Sequence, residues 1–227
     1  MVLVSEKDME YLPKTLGFWD KLTQNQKDLV MTYVEEVKYN KGERIHGGGV
    51  DCVGVLLIKK GHIRVYILSD EGKEVTLYRL GENDICILSA SCVISQITFD
   101  VHIDAEADCE VLKVSPIIFE RLCRENVYVE NFTNRIIIDH FSESMWAMQQ
   151  ILFMSFDKRL AIFLYDEITR TKKNKIKMTH EQIAKYIGSA REVVTRMLNY
   201  FAEEDIVRLS RGVVEIIDKK KLQELTF

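Results

Sequence analysis

The chain has 227 residues, of which 47% are hydrophobic and 29% are charged, and its formal net charge is −4. A chain of this length is long enough to form two domains, each with its own hydrophobic core. No apolar run approaches the roughly 20 residues of a membrane-spanning helix. The first residues lack the basic flank and apolar core of a signal peptide. We therefore expect a globular protein of the cytoplasm.

The charges are unevenly distributed along the chain. Residues 155–227 hold 15 Lys or Arg and 11 Asp or Glu, a balance of +4, whereas the other 154 residues hold 16 and 24, a balance of −8. A basic C-terminal third on an acidic body is typical of a DNA-binding module carried by a sensor domain. The five cysteines form no regular framework, which fits a reducing compartment better than a disulfide-stapled secreted protein.

The N-terminal part of the chain shows a helical pattern over residues 8–36. Thr23 and Gln26 have the spacing of a capping box, in which each side chain bonds the backbone N–H of the other residue, and this predicts a helix start. Apolar residues then follow the period of a helix. They are Leu22, Leu29, Val30, Tyr33 and Val34.

After residue 43 the pattern changes to short runs rich in β-branched and aromatic residues, which is typical of strands. Gly61, Gly72 and Gly81 lie between these runs and predict turns. The predicted strands are residues 55–58, 63–67, 74–78, about 100–104 and 109–114. Short strands separated by turns predict a compact all-β body, which we interpret as a double-sheet jelly roll, or β-roll.

From Pro116 the helical pattern returns and runs to residue 154. Apolar residues step by three and four positions along it, as in the a and d positions of a coiled coil. They are Ile138, Phe141, Met145, Met148 and Leu152. We interpret this stripe as the seam of a homodimer. The alternative is a single helix buried against its own β domain.

The remaining chain has the element order of a winged helix-turn-helix. A helix is predicted from Asp157 to Thr169, and the polar run over residues 170–175 is interpreted as a loop. Residues 178–217 then predict two short helices around a tight turn, followed by further helix and a β-hairpin.

Two capping boxes mark the starts of the short helices. Thr179 with Gln182 begins the first helix, Ser189 with Glu192 begins the second, and Gly188 permits the turn between them. The residues predicted to face the core are Ile183, Ala184, Ile187, Val194 and Leu198.

The second short helix leaves charged residues facing outward, and this suits the major groove of DNA. Arginine can bond guanine bidentately, and glutamate can accept from the amino group of cytosine. The predicted DNA-contacting residues are Arg191, Glu192, Arg196, Ser189, Thr195, Thr179 and Arg211, with Arg208 and Arg211 at the tip of the hairpin. The alternative is an ordinary solvated helix face. Double-stranded DNA with two half-sites needs a two-fold reader, which favours a homodimer.

This order of β-roll, long helix and winged helix-turn-helix resembles the Crp/Fnr family of bacterial transcription regulators over nearly the whole chain. The most specific segments are Gly61 to Val65 with Gly72 to Glu74, and Ile187 to Arg196. The resemblance implies a β-roll sensor domain, a dimerisation helix with linker, and a DNA-binding domain. Their boundaries are residues 1–115, 116–154 and 155–227.

The resemblance also implies a mode of DNA binding. Members bind palindromic TGTGA-like operators as homodimers and commonly recruit or exclude RNA polymerase. By resemblance, Arg191 and Arg196 would contact guanines and Glu192 a cytosine.

The effector region departs from the cyclic-nucleotide-binding members of the family. Those members hold ribose and phosphate with a Gly-Glu pair and a later Arg-Ser pair, where this chain has Ile85-Cys86 and Phe99-Asp100. A missing arginine and an added carboxylate oppose phosphate binding, so we do not expect cyclic AMP or cyclic GMP.

Other cofactors of the family are not expected either. No cysteine precedes Cys52, which argues against an N-terminal iron–sulfur cluster, and His46, His62 and His102 show no pattern of a haem ligand. Cys86 and Cys92 are candidates for a thiol–disulfide switch or a soft-metal site. They could equally be small buried hydrophobes beside a pocket for an uncharged small molecule. The sequence leaves the effector open.

Two other functional classes compete with a DNA-binding regulator. A cupin-like β-barrel metal enzyme would need clustered His and carboxylate ligands, but the five histidines are scattered, and we find neither a Gly-rich phosphate loop nor a nucleophile elbow. A cyclic-nucleotide-binding regulatory subunit would leave the helix-turn-helix unexplained. We therefore expect a transcription regulator and not an enzyme.

Overall fold

The computed structural model describes residues 6–48, 52–90 and 99–227. The chain forms two compact units, and the division falls within its long helix. The first unit comprises Met1–Ile67 and Leu77–Ser144, and the second comprises Leu68–Thr76 and Met145–Phe227.

The first unit begins with two α-helices, α1 (Glu6–Thr15) and α2 (Gln24–Thr32), and then enters strand β1 (Val34–Tyr39). The predicted capping box starts α2: Gln26 N–H donates to Thr23 Oγ1 at 3.3 Å, and Thr23 N–H donates to Gln26 Oε1 at 3.1 Å. The predicted helix over residues 8–36 is wrong at its C-terminal end. Val34 pairs with Val114, so a tertiary contact with a distant strand overrides the local helical period.

Two four-stranded sheets form the body of this unit, which confirms the predicted β-roll. Their strand orders are β1-β8-β3-β6 and β2-β7-β4-β5. The strands after β1 are β2 (Arg44–Gly47), β3 (Val55–Lys60), β4 (Ile63–Leu68), β5 (Glu74–Leu80), β6 (Ile85–Cys86), β7 (His102–Ala105) and β8 (Cys109–Val114). Gly61 makes the β3–β4 turn at φ +93°, where a Cβ atom would lie 2.6 Å from the carbonyl oxygen of Asp108. Only glycine fits so close an approach.

Strand β3 explains how the layers stack. Its residues Val55 to Ile58 are all buried, because both faces of the strand are covered. Val55 and Leu57 pack in one core with the helices, while Leu56 and Ile58 pack in a second core with the residues of the other sheet. The β-roll therefore has a helical layer on one face of one sheet.

The helical stretch predicted from Pro116 is two helices and not one. Helix α3 (Pro116–Glu125) ends at Asn126, whose backbone is extended, and α4 (Val127–Phe153) follows with 27 residues. Among the described helices, none is long and apolar enough to cross a membrane.

The second unit contains the predicted helix-turn-helix. Its helices are α5 (Phe156–Thr171), α6 (His180–Ile187), α7 (Arg191–Glu203) and α8 (Lys219–Glu224), and its sheet has the order β10-β11-β9 with β9 (Lys175–Ile176), β10 (Val207–Ser210) and β11 (Val213–Ile216). The predicted loop over residues 170–175 is shorter than expected, because α5 continues to Thr171 and Lys175 pairs with Glu215 of β11. The predicted core residues of α6 and α7 are all buried, as the helical period required.

Candidate nucleic-acid interface and effector region

The turn between α6 and α7 is fixed by local chemistry at both ends of α6. At its start, Gln182 N–H donates to Thr179 Oγ1 at 3.1 Å and Thr179 N–H donates to Gln182 Oε1 at 2.8 Å, so the predicted capping box is confirmed. At its end, Gly188 adopts φ +62° and ψ +48°, the left-handed conformation that glycine reaches without strain. These two signals together set where α7 begins.

The second predicted capping box is wrong. Helix α7 begins at Arg191 with Ala190 as its N-cap residue, and no side-chain cap hydrogen bond is present. The backbone N–H of Ser189 is used by the preceding turn, where it donates to Ala184 O at 3.0 Å. Because Ser189 lies one residue before the cap, Glu192 is not at the position that a capping box requires. Glu192 instead lies in the first turn, where the helix dipole favours a carboxylate.

One face of α7 carries the predicted base-contacting side chains. Arg191, Glu192 and Arg196 are exposed, and Thr195 lies between them. Together they line a shallow groove of about 620 Å³, which is completed by Asn199, Tyr200 and Glu203. Asn199 and Tyr200 were not predicted, although they follow Thr195 and Arg196 by four residues and so share their face.

A contact between α6 and α7 was also not predicted. His180 Nδ1 lies 2.9 Å from Thr195 Oγ1, and the Thr195 hydroxyl donates to the backbone carbonyl of Arg191 at 2.9 Å. Burial, and then the nearby charge of Arg191, lower the pKa of His180 below its ordinary value. The spacing of fifteen residues between His180 and Thr195 carries no periodic signal, so the sequence could not reveal the pair.

The wing places only one of its two predicted arginines at the tip. Arg211 is exposed in the turn with Gly212, as predicted. Arg208 instead lies on β10, where its guanidinium approaches Glu215 at 3.8 Å across the sheet. Because the turn consists of Arg211 and Gly212, Arg208 lies three residues before it within β10, which corrects the prediction.

The structure describes three of the four predicted effector residues of the first unit. Cys86 lies on β6, is fully buried as a free thiol, and its pKa is raised mainly by that burial. A buried thiol with a raised pKa is a weak nucleophile. Phe99 and Asp100 are exposed just before β7. Cys92 lies outside the described residues.

The other cysteines include a disulfide, which differs from the reduced state that the sequence predicted. Cys109 and Cys123 are free thiols, whereas Cys52 is disulfide-bonded. Within the described ranges, no group of three or more His, Cys, Asp or Glu residues is arranged to hold a metal ion.

Comparison with known proteins agrees with this architecture. Residues 158–225 match the Crp-like helix-turn-helix domain, and residues 36–126 match the cyclic nucleotide-binding domain. A crystal structure described as a transcriptional regulator of the Crp/Fnr family from Eubacterium rectale is 44% identical, with a TM-score of 0.91, and the match covers 94% of this chain and 99% of that one. This chain belongs to the Crp/Fnr family.

Two curated relatives show how varied the family is. The cyclic AMP receptor protein of Thermus thermophilus is 24% identical over 206 residues, covering 91% of this chain and 94% of the relative. The fumarate and nitrate reduction regulatory protein of Vibrio cholerae is 24% identical over 216 residues, covering 90% and 84%. The names of these two relatives point to different signals. Membership of the Crp/Fnr family therefore makes this protein a DNA-binding transcription regulator and not an enzyme, but it does not identify the effector.

For a Crp/Fnr regulator, the long helix α4 is the next feature of interest. All five predicted seam residues are exposed in the single chain. Their exposed fractions are 63% for Ile138, 65% for Phe141, 50% for Met145, 39% for Met148 and 64% for Leu152. A helix buried against its own β domain would have covered this stripe, so the alternative interpretation does not describe these residues.

Proposed function

We propose that this regulator binds a palindromic TGTGA-like operator as a homodimer, under the control of an effector other than cyclic AMP. The observation that supports this proposal most directly is the exposed face of α7. Arg191 and Arg196 are exposed side chains with fork-shaped donors for guanine N7 and O6, and Glu192 offers an acceptor for the cytosine amino group. The family resemblance supports the half-site, because the segment from Ile187 to Arg196 matches the family pattern.

A second group of side chains would position α7 through the phosphate backbone. Thr179 and Ser189 lie at or next to the starts of α6 and α7, where free N–H groups and the helix dipole favour phosphate. Thr195 lies on α7 itself, and Arg211 lies in the turn of the wing. RNA polymerase is proposed as a further partner, and the cytoplasm as the compartment, from the family resemblance.

The homodimer is supported by the apolar stripe on α4. Five large apolar side chains at a and d spacing expose 39–65% of their surface on one helix. Water-exposed stripes of this kind are unusual on a monomer and are expected to be buried by a partner. A second copy of α4 offers the matching stripe, and a two-fold axis along this seam gives the two DNA-reading helices that a palindrome requires.

The effector is proposed to differ from cyclic AMP because the cassette that would hold a phosphate is replaced. By the resemblance, Ile85-Cys86 stands where the Gly-Glu pair would fall and Phe99-Asp100 where the Arg-Ser pair would fall, so the arginine that would bind phosphate is missing and a carboxylate is added. Redox sensing is kept as a candidate through Cys92 and the disulfide-bonded Cys52, since buried Cys86 is poorly suited to it.

Fluorescence anisotropy with a labelled palindromic TGTGA duplex and a scrambled duplex tests the DNA proposal. The wild type should prefer the palindrome. Arg196→Ala should lose about 1–3 kcal/mol of binding to it and relax base preference at one position. Arg124→Ala is the matched control, because Arg124 is exposed on α3 and pairs with Glu120. Equal binding of Arg196→Ala and wild type to both duplexes would contradict the role of α7.

The same titration under reducing and mildly oxidising conditions tests redox control. Specific binding in one condition only would support a thiol sensor. Equal specific binding in both conditions would exclude a thiol sensor and favour a small-molecule effector.

Sedimentation velocity tests the homodimer. Phe141→Glu should convert the dimer to a monomer, because a carboxylate would be buried in an apolar seam. Gln150→Glu adds the same charge to the same helix outside the stripe, and it should leave the dimer intact. A monomeric wild type, or a dimer that survives Phe141→Glu, would contradict the seam.

A further inference from the structure

Asn199 lies on the face of α7 that carries the proposed base contacts. It is exposed, and it lines the same groove as Arg191 and Arg196. Within the described part of the chain, no hydrogen bond engages its side-chain amide. The donor and the acceptor of this amide are therefore both available to a ligand.

Thr195, which lies one turn earlier on the same face, is already engaged. Its hydroxyl donates to the backbone carbonyl of Arg191 at 2.9 Å, and the hydroxyl oxygen lies 2.9 Å from Nδ1 of His180. A threonine hydroxyl has one hydrogen to donate, and in the free protein that hydrogen is used inside the unit. Of these two neighbours on α7, Asn199 is the one whose donor is free for a base.

Helix geometry places Asn199 inside the row of proposed contacts. With Arg191 taken as zero and about 100° per residue, Thr195 lies at about 40° and Arg196 at about 140° around the axis of α7. Asn199 lies between them at about 80°, whereas Tyr200, at about 180°, lies beyond Arg196. A DNA groove that receives the charged side chains on both sides of Asn199 therefore also receives its amide.

The position of Asn199 along the helix indicates which base pair it can reach. Asn199 is three residues beyond Arg196, a rise of about 4.5 Å along the axis, and successive base pairs of B-DNA are about 3.4 Å apart. A homeodomain recognition helix places its base-contacting residues over about seven positions, and Glu192 and Asn199 bracket a stretch of the same length. Asn199 can therefore reach the base pair next to the one contacted by Arg196.

We propose that Asn199 is a specificity-determining residue that reads an adenine at the base pair adjacent to the one read by Arg196. The amide of asparagine matches the major-groove edge of adenine, because Nδ2 donates to N7 and Oδ1 accepts from the N6 amino group. Guanine presents two acceptors at the same edge and cannot satisfy both atoms of the amide. The inference rests on the proposed DNA-binding function of α7 and assigns one more base pair of the operator to a named side chain.

Competition anisotropy against the labelled palindromic TGTGA duplex tests the proposal. The competitors replace, in one half-site only, each base pair of the half-site and the two base pairs on either side of it. The wild type should prefer adenine at one position by about 5- to 150-fold. Asn199→Ala should lose this preference and keep the discrimination that Arg196→Ala removes. Asn174→Ala is the matched control, because Asn174 is exposed in the same unit but outside α7, and it should keep both.

Two further experiments test the chemistry of the contact. Asn199→Arg should move the preference at the same position from adenine to guanine, because arginine donates to both guanine acceptors. A changed preference is a result that loss of folding cannot produce. In the second experiment, 7-deaza-adenine replaces the adenine and removes its N7 acceptor. This replacement should weaken the binding of the wild type and leave the binding of Asn199→Ala unchanged.

Three results would overturn the proposal. One is an Asn199→Ala variant that keeps the wild-type base preference at every position. Another is a loss of affinity in that variant that is equal for all sequences, because a contact to the phosphate backbone weakens binding uniformly. The third is wild-type binding that 7-deaza-adenine does not weaken. Failure of the wild type to prefer the palindrome over a scrambled duplex would instead contradict the DNA-binding proposal, so the two failures are distinguishable.

Discussion

The two units use their charged side chains in opposite ways. In the first unit, Lys59 Nζ on β3 bonds Asp8 of α1 at 2.5 Å and Glu36 of β1 at 2.8 Å, and only 1% of the Asp8 side chain is exposed. In the second unit, Arg191, Glu192 and Arg196 are exposed on α7. Buried charges must be paired for the unit to fold, whereas exposed charges are available to a ligand. We therefore expect the first set to stabilise its unit, and we propose the second set for DNA binding.

Two histidines in the described part of the chain, each with a pKa below its ordinary value, show the same contrast. His140 of the first unit is buried and stacks on the ring of Tyr78 with centroids 4.4 Å apart. His180 of the second unit is half-buried and hydrogen-bonds a hydroxyl on the proposed DNA-contacting face. The pKa of both rings is thus lowered, although one ring packs on an aromatic side chain and the other makes a polar contact beside the proposed DNA-binding surface. The neighbours of a residue, and not its type, decide its role.

The largest expected effect comes from removing the cation of the buried charge cluster. Lys59→Met should lower the free energy of unfolding of the first unit by about 3 kcal/mol, because it removes the ammonium group that bonds both Asp8 and Glu36 in a largely buried cluster. Lys60→Met is the control, since Lys60 is the exposed neighbour on β3. Chemical denaturation measures both. A loss of stability no larger than that of Lys60→Met would contradict the stabilising role of the buried charges in the first unit.

The next effect should appear in binding and not in stability. Glu192→Ala removes the acceptor proposed for cytosine, so discrimination at that base pair should fall by about 1–3 kcal/mol. The free energy of unfolding should change by less than about 0.5 kcal/mol, because the side chain is exposed. Competition anisotropy with operators substituted at each position measures the first quantity. Equal discrimination by variant and wild type would show that Glu192 belongs to a solvated face.

The parts of the fold that sequence predicts are those with local causes. Thr179 and Gln182 start α6, Gly188 ends it, and the period of three and four places Val194 and Leu198 in the core, all from neighbouring residues. The strands separated by glycine turns are predicted for the same reason. The exposed face of α7 follows directly, because what is not inward on an amphipathic helix is outward.

The parts that sequence does not predict depend on partners far along the chain. Val34 is a strand residue because it pairs with Val114. The hydrogen bond between His180 and Thr195 depends on the angle between two helices, which no residue pattern indicates. The effector region is obscure for the same reason, since a pocket is lined by residues whose separation in sequence carries no period.

A smaller effect is expected from removing the capping box that starts one helix in each unit. Thr179→Ala and Thr23→Ala each remove the acceptor of a capping box with both hydrogen bonds present. Each should cost about 1 kcal/mol, and each only in its own unit. Amide hydrogen exchange followed by mass spectrometry should show faster exchange in the first turn of α6 for one variant and of α2 for the other. Faster exchange in both units from either single change would show that the two units do not unfold separately.

The smallest expected effect concerns Ser189, which the sequence assigned to a second cap. Ser189→Ala should lower the free energy of unfolding by less than about 0.5 kcal/mol, because Ala190 is the N-cap of α7 and no side chain caps the helix. The loss would be about 1 kcal/mol if the serine were a true cap. The operator affinity of the variant should also be measured, because a hydroxyl near the start of α7 can donate to a phosphate without stabilising the free helix. A variant with normal stability and weaker operator binding would place Ser189 among the DNA contacts. A variant that loses about 1 kcal/mol of stability would indicate that Ser189 is the N-cap of α7, as the sequence pattern predicted.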